Sequence, residues 1–257
     1  MNPVFSTVIA SLFGAVIGSF LNVCIYRIPE KKSVVLPPSA CGKCGRRLTW
    51  MENVPVFSYL LLGGRCRGCG VRISLQYLIV ELLTAAMFAG LWWVFGPTLA
   101  FASRAIFGCL LIVLFAIDLE HHLLPNVLTL PGIVIGFVFS LFGEPGWQSS
   151  LIGIVVGGGV LYLIAEAYYR LRHEEGLGMG DVKMLAMIGA FIGWKLTLVA
   201  LMMSSLAGSI VGVALIVSQR GGMKYALPFG TFLAMGAALA DTIGHGVLEW
   251  YVGLLQP

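Results

Sequence analysis

Long apolar runs separated by short polar connections make up most of this chain. A helix needs about 20 apolar residues to cross a hydrocarbon core of roughly 30 Å, and the sequence offers eight candidate runs. These are Val4–Tyr26, Ile73–Phe95, Leu99–Ile117, Val127–Phe142, Leu151–Tyr169, Val182–Trp194, Leu196–Ser218 and Ala226–Val252. The pattern therefore predicts an all-α polytopic membrane protein with about eight transmembrane helices.

The sixth run is the shortest of the eight. Its 13 residues from Val182 to Trp194 would span only about 20 Å as a straight helix. We therefore expect this run to be short, tilted, or fused to the seventh run through a break at Gly193–Lys195.

Composition places the chain in the same class. Hydrophobic residues make up 58% of it and charged residues 11%, with a mean hydropathy of +0.93. Soluble domains, in contrast, are about 45–50% apolar and 25% charged. The formal net charge of +4 is too small to indicate nucleic-acid binding. The expected surroundings are a lipid bilayer, with no nucleic-acid partner.

Basic residues indicate how the helices are oriented. The loop Arg27–Arg72 holds nine of the sixteen Lys and Arg residues. If eight spans alternate, five more lie in or beside connections on the same side, namely Arg170, Arg172, Lys183, Arg220 and Lys224. The positive-inside rule assigns this side to the cytosol and both termini to the outside. A cleaved signal peptide requires basic residues before its apolar stretch, and none precedes the first run. We therefore expect that run to remain as an anchor.

Four of the six cysteines form two closely spaced pairs in the basic loop. Cys41-Gly-Lys-Cys44 and Cys66-Arg-Gly-Cys69 are separated by 21 residues, a spacing typical of tetrahedral Zn²⁺ sites. Two disulfides are the alternative, but the cytosol keeps thiols reduced. The sequence therefore predicts a zinc-binding loop at about residues 27–72, in which the metal supports a fold with few large apolar residues.

Two aspartates lie where ionisable groups are costly and usually functional. Asp118 ends the third run, and Asp181 stands in Gly178-Met-Gly-Asp181 at the start of the sixth. Taken singly, Asp118 is an interfacial charge and Asp181 a helix N-cap. Two complete spans separate them, however, so both should lie at the cytosolic boundary and can face each other. Two neighbouring carboxyls share one proton, an asymmetry that suits hydrolysis of a peptide bond.

Four segments, in this order, resemble the bacterial type IV prepilin peptidases. They are Gly18–Pro29, the four-cysteine loop, the segment Ala116–Asn126 and the Gly-x-Gly-Asp segment Glu175–Lys183. The family consists of GxGD-type intramembrane aspartyl proteases, and the resemblance implies that Asp118 and Asp181 are the catalytic pair. It also implies a bifunctional enzyme. Such an enzyme removes the basic leader of prepilins and pseudopilins, then methylates the new N-terminal residue with S-adenosylmethionine.

The resemblance also divides the chain and locates it in the bacterial inner membrane. Residues 1–98 would form an N-terminal region linked to methylation, and residues 99–257 the membrane-embedded protease core. Asn22 and Arg27 are the polar candidates for the methylation site. Interfacial anchoring is an equally good explanation for both.

Further residues are candidates near the aspartates. Gly178 and Gly180 lack a Cβ atom and would let the backbone approach an extended peptide, and Lys183 lies in the same segment. Three acidic residues could meet the basic leader or be solvated surface charges, namely Glu120, Glu174 and Glu175. Pro228–Phe232 could border the site, although a helix start explains it more simply.

Two other classes of function stay open at this point. A proton-coupled transporter would use the deep Asp241 and broken helices, whereas a non-catalytic assembly scaffold would use the zinc loop as a docking surface. Internal repeats would favour transport, and the sequence contains no clear repeat. It specifies neither an oligomeric state nor which prepilins are processed.

Overall fold

The structure, a computed structural model, describes residues 2–172, 178–218 and 227–255. Its eight α-helices in that part of the chain are α1 (Pro3–Arg27), α2 (Phe57–Leu61), α3 (Leu75–Phe95), α4 (Leu99–His121), α5 (Asn126–Ser140), α6 (Trp147–Arg172), α7 (Met179–Val217) and α8 (Phe229–Leu255). A 3-10 turn, Trp50–Asn53, precedes α2. Internal contacts divide the chain into two compact units, Met1–Val113 and Leu114–Pro257.

Six of the described helices are long and apolar enough to cross a membrane, namely α1, α3, α4, α6, α7 and α8. Helix α5 is apolar but has only 15 residues. Large apolar side chains such as Phe5, Leu12 and Leu163 stand exposed on these helices, as expected of surfaces that lipid covers. The predicted all-α polytopic membrane protein is therefore confirmed.

Helix α7 contains both the sixth and the seventh predicted runs, joined at a break. Gly193 has φ 74° and ψ 169°, which no helix allows. The carbonyl oxygen of Leu185 and Cγ2 of Thr197 both lie within 3.2 Å of the point where a Cβ on Gly157 would stand. A straight helix would separate Leu185 from Thr197 by about 18 Å along its axis. The chain therefore folds back at Gly193. The sixth and seventh runs are two helical segments joined there, as expected for a fusion through a break.

The first segment of α7 is the buried centre of its unit. Helix α7 packs against α5, α6 and α8, and nearly every residue from Val182 to Gly193 is buried. Glycines allow close contact, because a Cβ on Gly157 of α6 would stand only 2.7 Å from the Leu185 carbonyl oxygen. Close packing of small residues is how helices associate without a hydrophobic driving force between them.

The order of contacts gives the direction of each helix within this unit. Helix α6 runs antiparallel to the first segment of α7, and α8 runs antiparallel to the second. Helix α5 runs parallel to the first segment, since its start contacts the start of α7 and its middle contacts Ala190. The end of α4 and the starts of α5, α7 and α8 are consequently brought to the same end of the unit.

The other unit is built on an antiparallel pair of helices, α1 and α3. The Asn22 side-chain amide of α1 donates to the Tyr77 carbonyl oxygen of α3 at 3.0 Å. Glu81 of α3 is buried, and its carboxylate accepts the Val56 N–H of the basic loop at 2.7 Å. Val56 has φ 64°, a left-handed conformation that is rare for a β-branched residue. Glu81 thus holds the loop to α3 at a residue with an unfavourable backbone conformation.

Two neighbouring glycines of α6 allow the packing on α7 to be tested. Gly157→Ala should lower the free energy of unfolding by about 1–3 kcal/mol, because the new methyl group would meet a backbone oxygen that cannot rotate away. Gly159→Ala is the control, since no atom lies within 4 Å of its Cβ position. Melting temperatures in detergent should fall for Gly157→Ala only. Equal melting temperatures for the two variants would contradict this packing.

Candidate functional site

Asp118 lies in the last turn of α4, where it is only 5% exposed. Its Oδ2 atom accepts two hydrogen bonds from Thr231, one from the backbone N–H at 2.7 Å and one from the hydroxyl at 3.1 Å. Thr231 lies in the first turn of α8, where N–H groups have no partner within their own helix. The start of α8 therefore meets the end of α4 through this carboxylate.

Asp181 lies in the first turn of α7, after Gly178 at the N-cap position. Its backbone N–H donates to the Gly178 carbonyl oxygen at 3.1 Å. The carboxyl group is partly buried and lies close enough to Asp118 for their charges to interact. The structure thus brings together two acidic residues separated by 63 positions in the sequence.

The small residues around the aspartates leave room for Leu124. A Cβ on Gly180 would lie 2.9 Å from the Cβ atom of Leu124, and a Cβ on Gly230 would lie 2.8 Å from its Cδ1 atom. Gly180 therefore makes a close contact with the protein's own chain. Gly178 differs, because the nearest atom to its Cβ position is Oδ2 of Asp181 at 3.4 Å, which is an ordinary contact distance.

The remaining predicted residues near the aspartates have separate surroundings. The Lys183 ammonium group donates to the Asn126 side-chain oxygen at 2.9 Å, which ties the start of α7 to the start of α5. Glu120 is exposed, and its carboxylate lies 3.9 Å from Nε2 of His121. Glu174 and Glu175 lie outside the residues that the structure describes.

This arrangement provides an acid and a base at one place. Two interacting carboxyls favour a state in which one is ionised and the other protonated. Within the described part of the chain, Asp118 is the one of the two that receives donors from another helix. Sequence reasoning did not include Thr231 or Gly230 in the site, although it considered Pro228–Phe232 as a possible border. The available signal was a hydroxyl residue next to glycine in the first turn of α8, within a run of apolar and small residues.

The four cysteines of the basic loop form a second cluster. Their sulfur atoms all lie within 4.8 Å of one another, and Sγ of Cys41 lies 3.8 Å from Sγ of Cys69. Zinc–sulfur bonds of about 2.3 Å in a tetrahedron separate the sulfurs by about 3.8 Å, whereas a disulfide needs about 2.05 Å. Cys41 and Cys69 come from different pairs, so the sulfurs form one group that fits a metal ion.

The two cysteine pairs have the same backbone geometry. The N–H of the first cysteine of each pair donates at 2.9 Å to the carbonyl oxygen of the residue five positions later in the sequence. The carbonyl oxygen of that cysteine accepts the N–H of the residue four positions later. The residue after the second cysteine is Gly45 in one pair and Gly70 in the other, each with φ 69°. This left-handed conformation is readily adopted only by glycine, so each pair forms a tight knuckle.

The knuckles favour thiolate at two of the four positions. Backbone N–H groups of the first knuckle lower the pKa of Cys41 to about 6, and those of the second knuckle lower the pKa of Cys66. At Cys69 the Val71 N–H acts in the same sense, but burial and the neighbouring sulfurs outweigh it and raise the pKa to about 11. A bound cation would stabilise all four thiolates together.

Arg46 and Glu52 support the cluster and were not among the predicted site residues. The Arg46 guanidinium forms an ion pair with Glu52 and interacts with the sulfur of Cys66. The Thr49 N–H has the largest effect on Glu52 and Arg46 the next largest, and they lower its pKa to about 2. This carboxylate therefore stays ionised. A fixed positive charge beside the sulfurs offsets the negative charge of a four-thiolate site.

The two methylation candidates lie in the unit of α1 and α3. Asn22 is 4% exposed, and its contact with Tyr77 fits a role in helix packing. Arg27 is partly exposed and donates to the Ser33 carbonyl oxygen at 3.0 Å, which closes the start of the loop.

Comparisons with known proteins cover both units. The family model "Bacterial Peptidase A24 N-terminal domain" matches residues 12–95, and the "Type IV leader peptidase family" model matches residues 105–213. No solved structure gives a significant match.

Curated relatives match most of the length of this chain. A prepilin leader peptidase/N-methyltransferase of Aeromonas salmonicida is 35% identical and covers 95% of this chain and 93% of its own length. The protein of the same name from Pseudomonas aeruginosa is 32% identical and covers 98% of this chain and 95% of its own length. That from Myxococcus xanthus is 38% identical and covers 84% of this chain and 64% of its own length. These matches do not favour a transporter or a scaffold. With two adjoining family models and full-length relatives in agreement, the chain belongs to the type IV leader peptidase family.

Proposed function

We propose that this protein is a bifunctional membrane enzyme. It cleaves the leader from type IV prepilins and pseudopilins and then methylates the N-terminal residue that cleavage exposes. The names of its full-length relatives support both activities. The observation that carries the peptidase assignment is the meeting of Asp118 with Asp181, because a pair of carboxyls can hydrolyse a peptide without a nucleophilic side chain.

Hydrolysis would follow from the shared proton. The ionised carboxylate takes a proton from water, and the water oxygen bonds to the scissile carbonyl carbon. The protonated carboxyl donates to the carbonyl oxygen as negative charge develops there. When the tetrahedral intermediate collapses, the first carboxyl gives its proton to the leaving nitrogen and the C–N bond breaks. The second carboxyl then takes back a proton, which restores the starting state.

The active site and the basic loop would lie on the cytosolic side, with both chain ends outside. The excess of Lys and Arg between Arg27 and Arg72 supports this orientation. A prepilin carries its basic leader before an apolar helix, so the bilayer would hold that helix while the junction meets the aspartates. Exposed Glu120, together with Glu174 and Glu175, would attract the leader at the membrane surface.

Zinc is the metal that the four-cysteine cluster fits best. Cys41, Cys44, Cys66 and Cys69 would hold it in a closed site with no open position, which indicates a structural role. S-adenosylmethionine would supply the methyl group in the second reaction. Asn22 and Arg27 would contribute to the region that carries out this step by fixing α1 to α3 and to the loop.

Neutralising either aspartate should abolish cleavage. Asp118→Asn and Asp181→Asn each leave a single carboxyl, which cannot act as both acid and base. Each should therefore reduce the cleavage rate of a purified prepilin in detergent by at least about 100-fold. Asp241→Asn is the control, because it changes another intramembrane carboxyl outside the pair. Gel analysis of cleavage and melting temperatures would be compared across the three variants. Retained activity in Asp118→Asn or Asp181→Asn would reject the pair.

Removing the metal ligands should affect the two reactions unequally. Cys41→Ser with Cys44→Ser should reduce bound zinc from about one ion per chain to near zero and should destabilise the loop. Methylation, measured by mass spectrometry of the processed pilin, should fall more than cleavage. Cys109→Ser is the control, since this cysteine lies in α4 outside the cluster. Equal loss of both activities, or a wild-type protein without zinc, would contradict the proposal.

A further inference from the structure

We propose that Thr231 is a positioning residue that keeps Asp118 ionised, so that Asp118 is the base and Asp181 the acid of the reaction. This assignment rests on the proposed peptidase function. It goes further by giving the two carboxyls different roles and by naming the group that makes them different.

The two aspartates differ in their hydrogen bonding. Thr231 directs both of its donors at one oxygen of Asp118, at 2.7 Å and 3.1 Å. Hydrogen bonds to a charged carboxylate favour the ionised form, and such charge-assisted bonds are stronger than neutral ones. Among the interactions that the structure describes, hydrogen bonding to the Asp181 carboxyl is confined to the Gly178 backbone, next to its own turn.

Thr231 lies at the start of α8, where the helix favours a neighbouring anion. The first turn of a helix carries a partial positive charge that attracts anions, and α8 directs this end at Asp118. Gly230 makes the approach possible, because a Cβ at that position would lie 2.9 Å from Oδ2 of Asp118. Both Asp118 and Thr231 are 5% exposed, so little water competes for these bonds.

The two roles follow from this asymmetry. Asp118 takes the proton from water as the O–C bond forms, and Asp181 donates its proton toward the carbonyl oxygen. On collapse, Asp118 passes its proton to the departing amine nitrogen while Asp181 is reprotonated from the intermediate. Thr231 exchanges no proton with substrate and acts only through Asp118.

Among the described residues, Asp181 and His122 are titratable groups that interact with Asp118, and both bear on a pH experiment. Asp181 faces it from the start of α7, and His122 follows it just beyond the end of α4. Lys183, on α7, is hydrogen-bonded to Asn126 of α5. His122 is therefore tested separately, with a variant of its own.

The test is the pH dependence of kcat/KM for cleavage of a purified prepilin in detergent. Thr231→Val keeps the backbone N–H but removes the hydroxyl, so Asp118 should ionise less readily. The midpoint of the acid limb should then move upward by about one pH unit, and kcat/KM on that limb should fall about tenfold. Thr231→Ser keeps the hydroxyl and should restore the midpoint. Thr242→Val is the control, because Thr242 lies on α8 and donates only to carbonyls of its own helix.

Other outcomes would overturn the proposal. A Thr231→Val enzyme that loses activity equally at every pH would give Thr231 a purely structural role. A shift of the basic limb alone would reverse the two roles. Loss of the acid limb in His122→Gln would assign that limb to the histidine. If Thr231→Val does not fold, a Thr231→Ser profile displaced from that of wild type would count against the proposal. The variants Asp118→Asn and Asp181→Asn separately test the peptidase function itself.

Discussion

The turn at Gly193 determines where the candidate active site forms. Because α7 reverses there, its second segment returns to the end from which the first began, and α8 starts at that same end. Asp181 and Thr231 therefore lie at two neighbouring helix starts, both directed at the end of α4. A straight α7 of 39 residues would carry α8 away from Asp118. The meeting of Asp181 and Thr231 with Asp118 thus depends on the backbone conformation of one residue, Gly193, which lies 12 positions after Asp181.

Much of this architecture could be predicted from the sequence, because the bilayer forces apolar residues into long runs. A break at Gly193–Lys195 was one of three arrangements expected for the short sixth run, and it is the one that the structure has. The four cysteines were recognisable because metal ligation imposes fixed spacing. Local sequence patterns were therefore sufficient to predict the all-α membrane fold and the four-cysteine cluster.

Contacts between distant segments were harder to predict. Nothing in the apolar pattern indicates that Thr231 bonds to Asp118, or that Leu124 packs on two glycines from different helices. Gly180, directly before Asp181, was expected to let a peptide approach, yet Leu124 fills the space beside it. Such contacts depend on how helix ends meet, and a periodic pattern records only which face of a helix is buried.

Each unit contains a buried carboxylate that accepts a backbone N–H from another segment. Glu81 accepts the N–H of Val56, and Asp118 accepts that of Thr231. In both cases an acidic side chain satisfies a donor that apolar surroundings would leave unpaired, so the carboxylate joins two parts of its unit. Asp118 differs because a second carboxyl, Asp181, also interacts with it. That neighbour makes ionisation of both groups costly, so the structural contact also creates the proton-sharing pair that the proposed hydrolysis requires.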